Sequence, residues 1–321
     1  MKGVFNIAFR IITHNIRYAV STPSPGEVAW NLRVPGIINE LHFNTLYNPE
    51  AFICLQEVLH GQLVDVLNGL NRNHPYGMGS GSPPWAYIGV GRDDGEEGGE
   101  YSPIIYRPSI WKLEHAETVW LSETPHKPSK GWDAATIRIL TIGRFQHRKS
   151  KVRVVTMNTH LDHRGSTSRL ESAKLIVRQI KKQILKGSIP GLRLNDNHRY
   201  KEVLPVILAG DFNSEPTQEA YKVLTSDDSP VQDLQSLTAD ENLYGDNHTF
   251  TGFTDDEWPT KLDFLFVGPK GYDGGGLDWD VRSYAVLPNR FEAGIYISDH
   301  RAVVGDIVLS IPKTRRSFYP G

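Results

Sequence analysis

The apolar run Pro205-Val206-Ile207-Leu208-Ala209, closed by Gly210-Asp211-Phe212-Asn213, constrains this chain more than any other stretch. Branched and aliphatic residues without a polar break, bounded by glycine, predict a strand buried on both faces. Such a strand delivers Asp211 and Asn213 at its end, and their two-residue spacing predicts that they share a side. A carboxylate and an amide placed there can hold a water and a divalent cation against a phosphate.

Other segments follow the same plan. Residues 7–17 alternate and end in Thr13-His14-Asn15-Ile16-Arg17, a strand running into a loop. Residues 52–55 form a strand closed by Gln56-Glu57. Further strands are expected at 103–106, 118–121, 137–145, 152–159, 262–267, 279–287 and 302–309. Val34, Ile37, Ile38 and Leu41 recur at helical spacing, as do Leu63, Val66, Leu67 and Leu70. Ala173, Ile176, Val177, Ile180 and Ile184 mark one face of a long amphipathic helix, and a shorter one is expected near 217–224. Residues 89–99, 187–203 and 225–256 read as loops or insertions. Mixed strands, few helices and no linker of distinct composition predict one α+β domain spanning residues 1–321.

Charge narrows the partners. A net charge of −2 lacks the basic excess with which proteins grip long nucleic acid, so the balance favours a small substrate. The single cysteine, Cys54, cannot form an internal disulfide and reads as a small buried hydrophobe. The first residues lack the apolar core of a signal peptide, and no stretch approaches the ~20 apolar residues of a membrane span. A cytoplasmic location without a transmembrane segment is the expectation.

Asn15, Glu57, His160, Asp211, Asn213, Asp263, Asp299 and His300 each lie at or just past the end of an apolar strand-like run. Functional groups gather outside such ends, where loops converge. Glu57 alone reads as a solvated strand terminus. Together with Asn15, Asp211 and Asp299 it reads as a ligand set for Mg²⁺, which takes hard oxygen donors and keeps several waters.

The order Thr-x-Asn-Ile-Arg, Leu-Gln-Glu-Val, Asn-Thr-His-Leu, Gly-Asp-Phe-Asn, Lys-Leu-Asp-Phe and Ser-Asp-His resembles the endonuclease/exonuclease/phosphatase superfamily, of DNase I type. Residues 91–95, 99–104, 120–125 and 131–135 resemble an uncharacterised bacterial and fungal subgroup of it. The resemblance implies a four-layer α/β/β/α sandwich with its site at one end. It implies a Mg²⁺-dependent phosphoesterase, with Mn²⁺ able to substitute. Glu57 would be the principal metal ligand, with Asn15 beside it and Asp299 contributing directly or through water. Asp211 would orient and deprotonate the attacking water, and Asn213 would hydrogen-bond the scissile phosphate. His300 would contact a phosphoryl oxygen or move a proton, its ring held by Asp263. His160 is similar to the second histidine of that branch, steadied by Glu100.

Arg164, Arg169 and Arg138 are candidates to fork onto a phosphate, as is Arg92. Trp132, with Trp85, Tyr101 and Trp258, is a candidate to stack on a base or sugar. The acidic loop residues Asp93, Asp94, Glu96 and Glu97 would repel a polyanion. A phosphorylated small molecule is therefore the expected substrate. Nucleic acid, through nuclease or 3′-deadenylase activity, is the alternative, and a catalytically dead phosphate-binding scaffold is a third reading.

Overall fold

The alternating segment at the start of the chain forms β1 (Val4–Asn15), which turns Ile7, Phe9 and Ile11 to one face and Ile12 to the other. The helix α1 (Trp30–Thr45) follows, and the chain returns as β2 (Phe52–Gln56), parallel to β1. Parallel neighbours require such a crossover, because the chain must travel back before it can pair. Next come α2 (His60–Arg72), β3 (Ala86–Ile88), β4 (Ile104–Tyr106), β5 (Trp111–Trp120), β6 (Ile139–His147) and β7 (Arg153–His160). A second crossover, α3 (Ser166–Leu185), leads to β8 (Val206–Asp211), parallel to β7. The remainder comprises α4 (Glu219–Thr225), β9 (Gln232–Asp233), α5 (Leu234–Leu237), β10 (Leu243–Gly245), β11 (Asp263–Gly268), β12 (Asp278–Val286) and β13 (Val303–Pro312). This computed structural model describes residues 4–72, 84–185, 203–270, 278–291 and 294–312.

The strands form two mixed sheets, ordered β10-β12-β13-β1-β2-β4-β3 and β5-β6-β7-β8-β11-β9. Their inner faces share one core, in which Phe9, Ile11, Phe52 and Cys54 of the first sheet meet Phe145, Ile207, Ala209 and Leu265 of the second. On the outer face of the first sheet, Ile37, Leu41, Leu63, Val66 and Leu70 of α1 and α2 pack on Ile12, Ile53, Leu55 and Val304. On the outer face of the second, Ala173, Ile176 and Ile180 of α3 and Ala220 and Leu224 of α4 cover Val155, Met157, Leu208 and Phe264. The result is the expected α/β/β/α sandwich. The apolar run of β8 is explained by it: Ile207 and Ala209 face the opposite sheet while Val206 and Leu208 face the helices.

Some elements differ from expectation. β5 begins at Trp111, well before residue 118, because it is an edge strand whose Lys112 is exposed and whose apolar signal is diluted. The segment 225–256 is not a plain insertion but supplies β9, α5 and β10. The expected loop at 187–203 lies outside the described residues apart from Val203. No helix among the described residues is long and apolar enough to cross a membrane.

Candidate active site

Strand direction gathers the chemistry at one edge of the sandwich. The parallel pairs β1–β2 and β7–β8 end there, presenting Asn15, Glu57, His160 and Asp211. The antiparallel strands start there, since β11 opposes β8 with Asp263 facing Asp211 in register. Asp263 therefore opens its strand instead of ending it, and Asp299 and His300 precede β13. The expectation that every such residue sits past a strand end is corrected in this respect. In a mixed sheet, one edge collects the ends of strands running one way and the beginnings of those running the other.

Tight backbone turns aim the side chains. Gly210 has φ 153°, and a Cβ there would stand 2.2 Å from the Thr159 carbonyl oxygen of the neighbouring strand. Glu57 (φ 58°), Asn213 (φ 44°) and Arg17 (φ 56°) hold left-handed conformations, which cost non-glycine residues about 1–2 kcal/mol each. β8 stops at Asp211, so strand alternation does not set the direction of Asn213. The left-handed turn does, with the Asn213 N–H donating to Asp211 Oδ1 at 2.9 Å.

At the centre, His300 Nδ1 donates to Asp263 Oδ2 at 2.8 Å, and His300 Nε2 lies 3.7 Å from Asp211 Oδ2. Burial alone would lower the His300 pKa, but Asp263 and Asp211 carry it up to about 10. The two carboxylates thus favour the charged form of the ring. Asp211 is pushed up to about 7 by burial and then by Asp263, against the stabilising pull of His300 and Asn15. The three residues are also the group among those described whose ligand atoms, within 4.8 Å of one another, are close enough to share an ion.

Asn15 joins this centre to Glu57. Its Nδ2 donates to Asp211 Oδ2 at 2.9 Å and to Glu57 Oε1 at 3.0 Å, while its Oδ1 accepts from the Arg17 N–H at 3.0 Å. Glu57 Oε2 accepts from the Tyr18 N–H at 3.2 Å and stands 3.9 Å from Arg17 Nη1. Asp299 is raised to about 6 by burial and by Glu57, with His300 and Arg17 opposing. The two carboxylates supply hard oxygen donors, with Arg17, Arg33 and His300 as the surrounding positive groups.

On the other flank, Asn213 Nδ2 donates to His160 Nε2 at 3.0 Å and to the Leu161 carbonyl at 3.0 Å. Both amide hydrogens are thus engaged within the protein. His160 Nδ1 is 3.8 Å from Glu100 Oε2, beyond hydrogen-bond range, and that oxygen accepts from Arg92 Nη1 at 2.8 Å instead. A guanidinium is the stronger partner for a carboxylate than a neutral imidazole. Burial, reinforced by Arg138 and Arg92, holds the His160 pKa well below its ordinary value. Between them lies a void of about 10 Å³, room for a single water, lined by Arg92, Glu100, Arg138 and His160.

The substrate candidates separate. Arg138 is buried and lines that void, with Nη2 3.1 Å from His163 Nδ1 and Nε 3.5 Å from Asp162 Oδ2, while Nη1 lacks a hydrogen-bond partner. Arg164 is exposed. Arg169 is held by Glu219 at 2.6 Å and by the Asp162 carbonyl at 3.1 Å, tying α3 to α4. Trp132 is half-buried, its backbone N–H donating to the Glu123 carboxylate, and Trp258 is 86% exposed. Trp85 and Tyr101, in contrast, are core residues with no face open to a ligand, which removes them as stacking platforms.

Sequence reasoning passed over several residues that build the site. Asp162 accepts backbone N–H donors from Ala135, Thr136, Arg164 and Gly165, clipping together the loops on either side of His160. Despite its burial, these donors hold its carboxyl far below the usual range. Gln56 Nε2 donates to Asn158 Oδ1 at 2.7 Å, and Asn158 Nδ2 donates to the Leu55 and Pro103 carbonyls, joining the two sheets beneath the site. The signal in the sequence was a polar residue near the end of each apolar run, Asn158 and Gln56 included.

No family model matches the chain. Among solved structures, it is similar to an endonuclease/exonuclease/phosphatase family protein from Bacteroides thetaiotaomicron, 28% identical, covering 95% of this chain and 98% of that one with a TM-score of 0.74. It is similar to a mannosyl-6-phosphatase from the same species, 29% identical, covering 93% and 99% with a TM-score of 0.72. Among curated proteins, human Nocturnin is 26% identical over 282 residues, or 86% of this chain. The chain spans 58% of the length of that relative.

Proposed function

We propose that this chain, which belongs to the endonuclease/exonuclease/phosphatase superfamily, is a metal-dependent phosphoesterase acting on a small phosphate ester of the sugar-phosphate class. The observation that carries the hydrolytic reading is the buried His300 ring, whose Nδ1 donates to Asp263 at 2.8 Å while its Nε2 stands 3.7 Å from Asp211; Asp263 and Asp211 favour its charged form. An imidazolium in that position donates to a phosphoryl oxygen and stabilises negative charge as it develops. Asp211, with its pKa pushed up to about 7, is matched to accept the proton of an attacking water near neutral pH. Asn213 keeps Asp211 and His160 in place, and it reaches a phosphate only by exchanging one of its two present acceptors.

A divalent cation fits Glu57, whose Oε1 accepts from Asn15 at 3.0 Å, together with Asp299, a carboxylate close enough for Glu57 to raise its pKa, with Arg17 as partial compensation. This assignment is preferred over Asp211, Asp263 and His300, because the His300–Asp263 hydrogen bond already engages a nitrogen and an oxygen of that group. Bound Mg²⁺ or Mn²⁺ would screen charge on the phosphoryl and leaving oxygens. Asp299→Asn should expose the charge imbalance. Asp299 titrates above its unfolded value, so metal-free stability falls as pH rises from about 4 through about 6. The variant should lack that fall, gaining about 2 kcal/mol at pH 8 once the partial exposure of Asp299 is allowed for. It should also show a smaller rise in Tm on adding Mg²⁺. Thermal melts with and without chelator check both signs, and a wild-type pH response in the variant would remove Asp299 from the set.

The substrate class is supported by the likeness to a mannosyl-6-phosphatase and by the near-neutral net charge. The likeness to Nocturnin keeps the nuclease reading as the alternative. A release assay over hexose phosphates, nucleotides, poly(A) and single-stranded DNA, with Mg²⁺ and with chelator, separates them. The expected result is Mg²⁺-dependent phosphate release from sugar phosphates and intact polymers at enzyme excess. Polymer cleavage without phosphate release would reverse the assignment.

A further inference from the structure

Behind the catalytic centre lies a second buried acid–imidazole pair that the hydrolytic reading does not use. His14, in the middle of the Thr13-His14-Asn15 end of β1, is fully buried. Its Nε2 stands 3.2 Å from the backbone carbonyl oxygen of His300. Its Nδ1 stands 2.8 Å from Glu40 Oε1 on α1, close enough for an ion pair though outside ideal hydrogen-bond geometry. Neither Glu40 oxygen has a hydrogen-bond partner, and the Glu40 side chain is only 5% exposed.

Valence assigns the protons. A carbonyl oxygen only accepts, so His14 Nε2 carries the hydrogen that reaches His300. Nδ1 then faces the Glu40 carboxylate at 2.8 Å, so α1 abuts the ring on the side away from His300. The His300 main chain is gripped elsewhere by its own N–H, which donates to Ser298 Oγ at 3.2 Å, and Ser298 Oγ in turn donates to the Asn15 carbonyl at 2.6 Å.

We propose that Glu40 and His14 are positioning residues that fix the His300 main chain from α1, and so set the aim of the His300–Asp263 pair; this rests on the hydrolytic reading above. A single hydrogen bond to a carbonyl is a weak device on an exposed loop. Beneath a buried ring whose direction must be held to a fraction of an ångström, it decides orientation.

The test uses the full chain, labelled with ¹⁵N-histidine, in the variants Glu40→Ala, Glu40→Gln and His14→Gln, each checked for a native circular-dichroism spectrum. Glu40→Ala should lower kcat about tenfold with KM within about twofold, and should move the His300 ring resonances while leaving those of His160 in place. Glu40→Gln, whose amide still donates to Nδ1, and His14→Gln, whose amide still donates to the His300 carbonyl, should recover most of the lost turnover. Folded Glu40→Ala with wild-type kcat and unmoved His300 resonances would overturn the proposal, whatever its Tm. Equal impairment of Glu40→Ala and Glu40→Gln would overturn it as well. Should the wild type hydrolyse no phosphate ester, the resonances alone still decide, so the two readings fail separately.

Discussion

Asp263→Asn lowers kcat by about 10³- to 10⁴-fold while the fold survives, the scale expected when the group orienting a catalytic imidazole is lost. Asp263 accepts from His300 Nδ1 at 2.8 Å and is the leading source of the charge that keeps this buried ring protonated. An amide in its place removes the negative charge and can present an N–H where an acceptor is needed. The ring then neutralises or changes tautomer, and the phosphoryl oxygen loses a charged donor. The pH profile supplies the sign. In the wild type the imidazolium persists until about pH 10, so turnover that needs it is lost on the alkaline side near that value. In Asp263→Asn the alkaline limb should move down towards the ordinary histidine value of about 6.5. Stability follows the same direction. A pKa raised on folding contributes fully below about 6.5 and is lost as pH rises through about 10, so the wild type should weaken across that window more than the variant. Steady-state rates and urea melts from pH 6 to pH 10 measure both. An unmoved alkaline limb would show that His300 is not the group being titrated.

Glu57→Ala should abolish Mg²⁺-dependent turnover, by about 10³-fold or more, and with it the rise in Tm on adding Mg²⁺. Glu57 sits in a left-handed turn past β2, where alanine adopts the same backbone at similar cost. The structural loss is its bonds with Tyr18 N–H and Asn15 Nδ2 and its pairing with Arg17, about 3 kcal/mol. The protein should therefore remain folded while metal binding by calorimetry disappears. Full wild-type activity in excess chelator, or unaltered binding by the variant, would contradict the assignment of Glu57.

Much of this arrangement was legible before any coordinates. The run at β8 demanded burial on both faces, and the polar residues beyond β1, β2, β7 and β8 marked the edge at which the site forms. The acid–imidazole link at 263 and 300 was named from resemblance; its geometry depends on β11 running against β8 and on the His300 segment bridging Phe250. Local pattern reports which face of a strand is apolar, but not which strand lies beside it or in which direction. For the same reason Trp85 and Tyr101 passed as ligand platforms, and Arg169 as a phosphate fork, until packing placed the first two in the core and the third against Glu219. Glu100 does stand 3.8 Å from His160, but its hydrogen bond goes to Arg92, eight residues away in sequence, whose reach only the folded loop reveals.

By itself, the sequence determined where the principal strands lie and where each hands over to polar oxygen and imidazole chemistry. Tertiary structure decided how those groups are charged. Burial and proximity make His300 a cation, raise Asp211 and Asp299, and neutralise His160, because solvation and pairwise Coulomb energies depend on distances through space that no spacing along the chain encodes.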